Sequence, residues 1–434
     1  MFHREAGTFK TSYAKDMALF PLPIAKGAAA FFLATVAVAI PAAVLTGLMH
    51  EYYLTIFTQI FIAIVGALGL NILVGWTGQI SIGHAAFMSV GAYTVGNLVT
   101  KVPHEIFGGP MPFWLTIPAG GLMAALIGTV VGIPSLRIKG TYLAIATLAS
   151  QLIIEWIINH TPAISGGAGA SIQVPRPTLF GNELKTPMEI YYFTLFFAVV
   201  AIVATMNLVR SRIGRAFVAI RDQDIAAEII GINIFRYKLL SFAISSFYAG
   251  VCGVLFAYYS SIANYEAFQI NISIDYLAMI IIGGLGSVLG TILGVIFVQL
   301  LPVAIREVVT AYGGYVIANP EQMQLDSLLR TLMIWGIPLL VLLAVRRFVS
   351  LGFWTRLIVT LLAIVPAAMT ALGVLTYLFG SQFANTSALS AMAASLKLII
   401  FGMLIIFFLV VEPEGLARLW RNVRNYFRVW PFSY

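Results

Sequence analysis

The sequence predicts an all-α polytopic membrane protein of about twelve transmembrane segments. Three observations predict it. The 434 residues are 60% hydrophobic and only 10% charged, where soluble domains carry about 25% charged residues. Apolar runs near the length of a bilayer crossing recur along the whole chain. The basic residues gather in the short connections between those runs, which is how a membrane protein is oriented.

The elements follow in order. A polar N-terminal segment, 1–27, leads into the apolar run 28–49, which is too long for a signal-peptide core and reads as a retained first span. Strong spans follow at 52–75, 113–135, 188–208, 237–262, 287–305, 357–379 and 395–411. Weaker ones, rich in glycine or carrying polar residues, lie at 80–99, 141–159, 273–284 and 328–345. Alternating from a cytoplasmic N-terminus puts all but six of the 25 basic residues on the cytoplasmic side. Both termini are therefore expected inside. The net charge of +8 is thus explained by orientation and contact with the lipid surface rather than by nucleic acid. Cys252 is the single cysteine, so no intrachain disulfide or CxxC motif can form.

Glycine marks two interruptions. The run 52–75 ends in Gly75-Trp76-Thr77-Gly78, and the short run 273–284 ends in Gly283-Gly284-Leu285-Gly286. Both would lie at corresponding depths of spans running the same way, as parallel repeats with broken helices place them. The competing account is that glycine is simply common in membrane helices. Gly286, Gly290 and Gly294 form small-xxx-small steps, as do Gly128 and Gly132, and both sets are read as tight helix packing.

Polar side chains concentrate at 71–85. Asn71, Gln79, Ser81 and His84 are candidates for a translocation pathway, because polar groups in hydrocarbon need an internal partner or water. A polar clamp between helices explains Asn71 and Gln79 equally well. His84 has no second ligand-type residue beside it, which argues against a metal site. Glu155 is the one carboxylate well inside a span, yet it lies near the outer end, where snorkelling also accounts for it.

The connection 210–238 is the most polar part of the interior. Gly214 and Gly231 bracket two short helical pieces, Arg215–Arg221 and Ile225–Ile230, the second capped by Asp222 or Asp224. Phe217, Ile220, Ile225 and Ile229 give it an apolar surface, rimmed by Arg212, Arg215 and Arg221. An interfacial helix on anionic lipid is one reading. The acids Asp222, Asp224 and Glu228 favour a protein groove instead, since lipid phosphates would repel them. The chain has no G-x-x-x-x-G-K-[ST] loop, paired carboxylates or nucleophile–base set. It reads as a non-enzyme, and any ATP driving it must bind another polypeptide. An ion-coupled secondary transporter is the alternative, and it would need a deep titratable site.

Five ordered motifs then resemble one family. G-L-N-I-L-V-G-W-T-G-Q-I-S-I-G-H-A-A-F (69–87), L-R-I-K-G-T-Y-L-A-I-A-T-L (136–148), S-R-I-G-R-A-F-V-A-I-R-D-Q-D-I-A-A-E-I-I-G-I-N (211–233), I-I-G-G-L-G-S-V-L-G (281–290) and the tail E-P-E-G-L-A-R-L-W (412–420) with W-P-F (430–432) resemble the LivM-like permeases of branched-chain amino acid ABC transporters. The resemblance implies a bacterial inner-membrane importer subunit for branched-chain or other amino acids. It would work with a second permease, two cytoplasmic ATPases holding ATP and magnesium, and a periplasmic solute-binding protein. It places a coupling helix that rests on an ATPase at Gly214–Gly231, and a binding-protein surface on loops including 160–187 and 306–326. A core of ten helices is implied, spanning 28–322 and completed by 395–411, with a basic cytoplasmic tail at 412–434. This chain departs from the family at 323–394, where it inserts a further helical pair.

Overall fold

The computed structural model describes residues 23–47, 49–101, 111–136, 142–165, 171–179, 182–318 and 332–341, with single positions and short pieces at 370, 374, 402, 415–418 and 421. The expected N-terminal segment before 23, the spans 357–379 and 395–411 apart from those positions, and most of the tail lie outside the described residues. The chain divides into two compact units, Met1–Leu300 with Leu404–Tyr434, and Leu301–Met403.

The first unit is a helical bundle. Helix α1 (Pro23–Ala34) passes through a π-helical turn, Thr35–Ala39, into α2 (Ile40–Leu45). Helix α3 (Tyr52–Asn71) ends in a second π-helical turn, Ile72–Trp76. After a non-helical link come α4 (His84–Lys101), α5 (Phe113–Ser135), α6 (Tyr142–His160) and the single turn α7 (Pro162–Ser165). Two small antiparallel pairs, β1 (Ile172–Gln173) with β4 (Ile262–Ala263) and β2 (Thr178–Leu179) with β3 (Asn182–Glu183), lie in the connections. Helix α8 (Pro187–Arg210) opens with a capping box in which Thr186 and Glu189 satisfy each other's backbone N–H. The polar connection holds α9 (Arg212–Asp222) and α10 (Asp224–Ile229), followed by α11 (Ile234–Ser260), α12 (Ile270–Gly283) and α13 (Val288–Ala318), whose residues after Leu300 belong to the second unit.

Six stretches among the described residues are long and apolar enough to cross a membrane: Tyr52–Trp76, Phe113–Ser135, Tyr142–His160, Pro187–Arg210, Ile234–Ser260 and Tyr265–Gly283. The sixth corrects one expectation. The run at 273–284 is short only as counted from its apolar residues, because a 3₁₀ turn, Tyr265–Phe268, leads into α12 and lengthens it. The run at 287–305 also continues further, helical to Ala318.

Helix α4 is enclosed by protein, packed against α11, α5, α6 and α12. Protein rather than lipid surrounds it, so it can carry Ser89, Asn97 and several glycines where a lipid-facing helix would carry leucine. Backbone approach makes this possible. A Cβ on Gly91 would stand 2.1 Å from the Gly250 carbonyl oxygen, and one on Gly253 would stand 1.8 Å from that of Met88. Gly128 and Gly132 face Ser246, Leu239 and Phe242 of α11, so this small-xxx-small pair does seat a helix. The outer faces of α5, α6 and α8 expose Trp114, Leu126, Leu152, Trp156, Phe196 and Val200, the apolar surface that a helix in hydrocarbon presents.

The π turn of α1 has its own partners. The Tyr191 hydroxyl donates to the Val36 carbonyl, and the Tyr192 hydroxyl donates to that of Ala37 at 3.0 Å, both reaching from α8. In the second unit the described residues show an apolar helical stretch, Leu332–Val341, and an ion pair between Arg306 and Glu307 at 3.6 Å.

Replacing Gly253 by valine forces α4 and α11 apart and should cost about 1–3 kcal/mol or more. The thermal midpoint of the detergent-solubilised protein should fall clearly, while Gly27→Ala, where nothing lies within 4 Å, leaves it unchanged.

Candidate functional site

The two glycine interruptions meet. Helix α3 stops at Trp76, and α12 stops at Gly283, one turn before α13 begins. Asn71, fully buried, joins them. Its side-chain oxygen accepts from the Gly286 backbone N–H at 2.9 Å, and its amide donates to Thr291 Oγ1 at 2.6 Å and to the Ser287 carbonyl at 3.2 Å. The approach is close enough that a Cβ on Gly75 would stand 2.4 Å from Gly286 N. Gly286 has φ +75°, so it belongs to the turn and not to the packing face of α13. Gly290 and Gly294 form that face, against Gly283 and the Met279 carbonyl.

The link 77–83 is non-helical, and several of its backbone N–H groups find partners within the protein, while Gln79 Oε1 is buried without one. Gly78 N–H and Gln79 N–H return to the carbonyls of Val74 (3.2 Å) and Leu73 (3.0 Å). Ile82 N–H donates to Thr147 Oγ1 at 3.0 Å. The first turn of α4 is capped from outside: Ala85 N–H donates to Ser273 Oγ at 2.8 Å and Ala86 N–H to Gln151 Oε1 at 2.7 Å. Gln151 in turn donates to the Phe268 carbonyl at 2.9 Å. Irregular backbone inside an apolar bundle persists only where protein satisfies it in this way.

The sequence-predicted residues fall around this junction. The Gln79 amide donates to Ser241 Oγ at 2.7 Å and to the Lys238 carbonyl at 3.3 Å, which puts the link at the end of the bundle that carries the polar connection. Ser81 is buried in the link. His84 Nε2 lies 3.0 Å from the Gly66 carbonyl oxygen, and its ring rests against Tyr276. Glu155 is half-buried on α6, five residues before that helix ends at His160. Composition gave no reason to single out Thr147, Gln151, Ser273, Ser241 or Thr291. Each is an ordinary polar residue in a span, and only the three-dimensional meeting of α6, α11, α12 and α13 with the breaks gives it a role.

The polar connection differs from expectation in three ways. Helix α9 starts at Arg212, because Ser211 caps it by accepting from Gly214 N–H at 3.3 Å. Gly214 therefore lies inside the first turn, where a Cβ would stand 2.3 Å from the Val209 carbonyl oxygen. Second, neither Asp222 nor Asp224 caps α10: Gln223 holds that position, and Asp224 pairs with Lys238 Nζ at 3.7 Å. Third, the apolar surface is divided. Phe217 and Ile220 are buried against the bundle, whereas Ile225, Ile229 and Ile230 are 70%, 81% and 73% exposed. Arg212, Arg215 and Glu228 are exposed beside them. Arg221 turns the other way, its Nη1 donating to the Gly75 carbonyl at 3.0 Å while Nη2 pairs with Asp222 at 2.9 Å. Gly231, at φ +91°, closes the pair of helices.

The described residues thus form a bundle of apolar helices, six stretches of it long and apolar enough to cross a membrane, with two helix breaks meeting beside a pair of short polar helices. The chain belongs to the family described as branched-chain amino acid transport system / permease component, whose profile matches residues 52–343. It is 33% identical over 303 residues to the high-affinity branched-chain amino acid transport system permease protein LivM of Escherichia coli strain K12, covering 64% of this chain and 68% of that protein. It is 25% identical over 257 residues to the probable branched-chain amino acid transport permease protein LivM of Methanocaldococcus jannaschii, covering 53% and 74%. Identity to the high-affinity branched-chain amino acid transport system permease protein LivH of Salmonella typhimurium is 24% over 246 residues, covering 52% and 76%. No solved structure matches the chain.

Asn71→Leu strands the Gly286 N–H and the Ser287–Thr291 acceptors in an apolar setting, at about 1–3 kcal/mol. The expected outcome is a lower thermal midpoint of the solubilised protein, with a larger loss than for Ser81→Ala, whose hydroxyl makes none of these contacts.

Proposed function

We propose that this chain is the transmembrane permease subunit of a bacterial ABC importer, carrying branched-chain or related amino acids across the inner membrane. The observation that carries the reading is the family match over 52–343, which takes in both helix breaks and the polar connection. ATP and magnesium belong to two partner ATPases, and this chain catalyses no reaction. A second, related permease completes the pathway, and a periplasmic binding protein delivers the solute. The existence of LivM and LivH as separate relatives supports a paired arrangement. Ten core helices plus two inserted ones at 323–394, with both termini cytoplasmic, is the topology that the basic-residue pattern favours. Family membership supports this reading and not the ion-coupled alternative.

Within it, α10 is the element that an ATPase holds. Two isoleucines exposed on a six-residue helix and a third at its C-cap, with Asp222 before the helix and Glu228 within it, suit a protein groove better than a lipid surface. Asn71, Gln79, Ser81 and His84 act close to the pathway by holding the broken helices in place. Nucleotide-driven closure of the ATPases would then move α9 and α10 and, through them, the bundle.

The test is purification of the tagged chain in mild detergent, with mass spectrometry of what accompanies it. A second permease and two ATPases are expected, and recovery of the chain alone across several detergents would sink the reading. Ile225→Asp with Ile229→Asp should remove the ATPases from the purified complex and abolish leucine uptake, while the chain still reaches the membrane in normal amount.

A further inference from the structure

The polar connection does more than present a docking face. Its two helices divide the work. Helix α10 exposes its isoleucines, while α9 buries Phe217 and Ile220 and brings Arg221 against both helix breaks at once. The Arg221 guanidinium donates to the Gly75 carbonyl, at the end of the π turn where α3 has no further helical N–H to offer. The same Nη1 lies 3.0 Å from where a Cβ on Gly286 would sit, in the turn between α12 and α13. The side-chain stem crosses Gly78, whose Cβ would stand 3.2 Å from Arg221 Cγ. Two of these glycines have positive φ, +72° at Gly78 and +75° at Gly286, so both turns are shaped to leave room for this side chain. The side chain is 38% exposed and pairs with Asp222, so it lies along the junction rather than buried in it.

The planar guanidinium reaches two acceptors in fixed geometry, the Gly75 carbonyl and the Asp222 carboxylate, while it rests against the Gly286 turn. We propose that Arg221 is the positioning residue through which movement of the connection reaches the two helix breaks, tying Gly75 and the Gly286 turn to α9. The proposal rests on the reading of this loop as the ATPase-docking element. Arg221 is the next-to-last residue of α9, three positions before α10 begins at Asp224, so displacement of α10 acts on it through a short link. Phe217 and Ile220 hold α9 to the bundle as a rigid lever, with the Phe217 ring edge-on to Tyr237 at 6.4 Å. Asn71 then carries the displacement across both breaks, because it binds Gly286, Ser287 and Thr291 from α3.

The experiment uses the complete complex in proteoliposomes, with ATP hydrolysis and radiolabelled leucine uptake measured on the same preparation. Arg221→Gln should keep both ATPases bound and hydrolysis unchanged, while uptake per ATP falls about tenfold or more. Arg221→Lys keeps the stem and the charge but reaches one partner at a time, and should recover part of that coupling. Gly286→Ala crowds the guanidinium from the opposite side, and should lower uptake per ATP with Arg221 intact. A merely structural role predicts that protein yield falls while uptake per ATP stays at the wild-type value in all three, and that result overturns the proposal. Loss of the ATPases from Arg221→Gln also overturns it, by making Arg221 a docking contact. If the wild-type chain itself recovers no ATPases, the docking reading falls and takes this proposal with it.

Discussion

Backbone that stops being helical inside an apolar bundle must find its hydrogen bonds within the protein, because hydrocarbon supplies none. That constraint governs everything around the 77–83 link and the 284–287 turn. Asn71 closes one break onto the other, Gln151 and Ser273 cap the buried first turn of α4, and Thr147 takes up Ile82 N–H. These residues come from α3, α6 and α12, so no pair of helices could form the junction alone. The junction is thus a property of the assembled bundle, and the surrounding helices are positioned by the need to complete it.

Close backbone contact is the second requirement. A central helix enclosed by four others leaves little room for side chains, and the glycines of α4, α5 and α11 provide that room. Gly120 packs toward the Gly91 carbonyl while Gly250 packs toward that of Gly120, so three helices share one region of backbone contact. Dispersion between closely packed atoms, together with the polar caps, replaces the hydrophobic drive that lipid removes. The enclosed position also explains why α4 was weak as a span in the sequence: a helix surrounded by protein has no reason to be uniformly apolar.

Much of the bundle was legible because span length and basic residues report the bilayer directly. The run 113–135 matches α5 residue for residue, since its ends are set by polar connections on both sides. Boundaries slipped where local capping decides them. Ser211 starts α9 three residues before the expected point, and the 3₁₀ turn at Tyr265 lengthens a helix whose apolar residues begin later. At the site, the polarity of Asn71 and Gln79 marked the right segment, but polarity carries no direction. Whether an amide faces a pathway or a neighbouring helix depends on partners up to 220 residues away, such as Thr291 for Asn71. Arg221 was legible as one of several loop arginines. Its inward turn depends on Gly78 and Gly286 leaving space, which no reading of the loop alone could reveal.

The π turn in the first helix bears on how the chain is built. Thr35–Ala39 presents carbonyls of Val36 and Ala37 that are met by the hydroxyls of Tyr191 and Tyr192, separated from them by 155 positions. During synthesis the first hairpin enters the membrane long before α8 leaves the ribosome. Until then those carbonyls have no tyrosine to accept from. The arrival of α8 thus acts as a late fastening step, and the N-terminal helix is expected to remain loosely held, open to chaperones or insertase, through the making of half the protein.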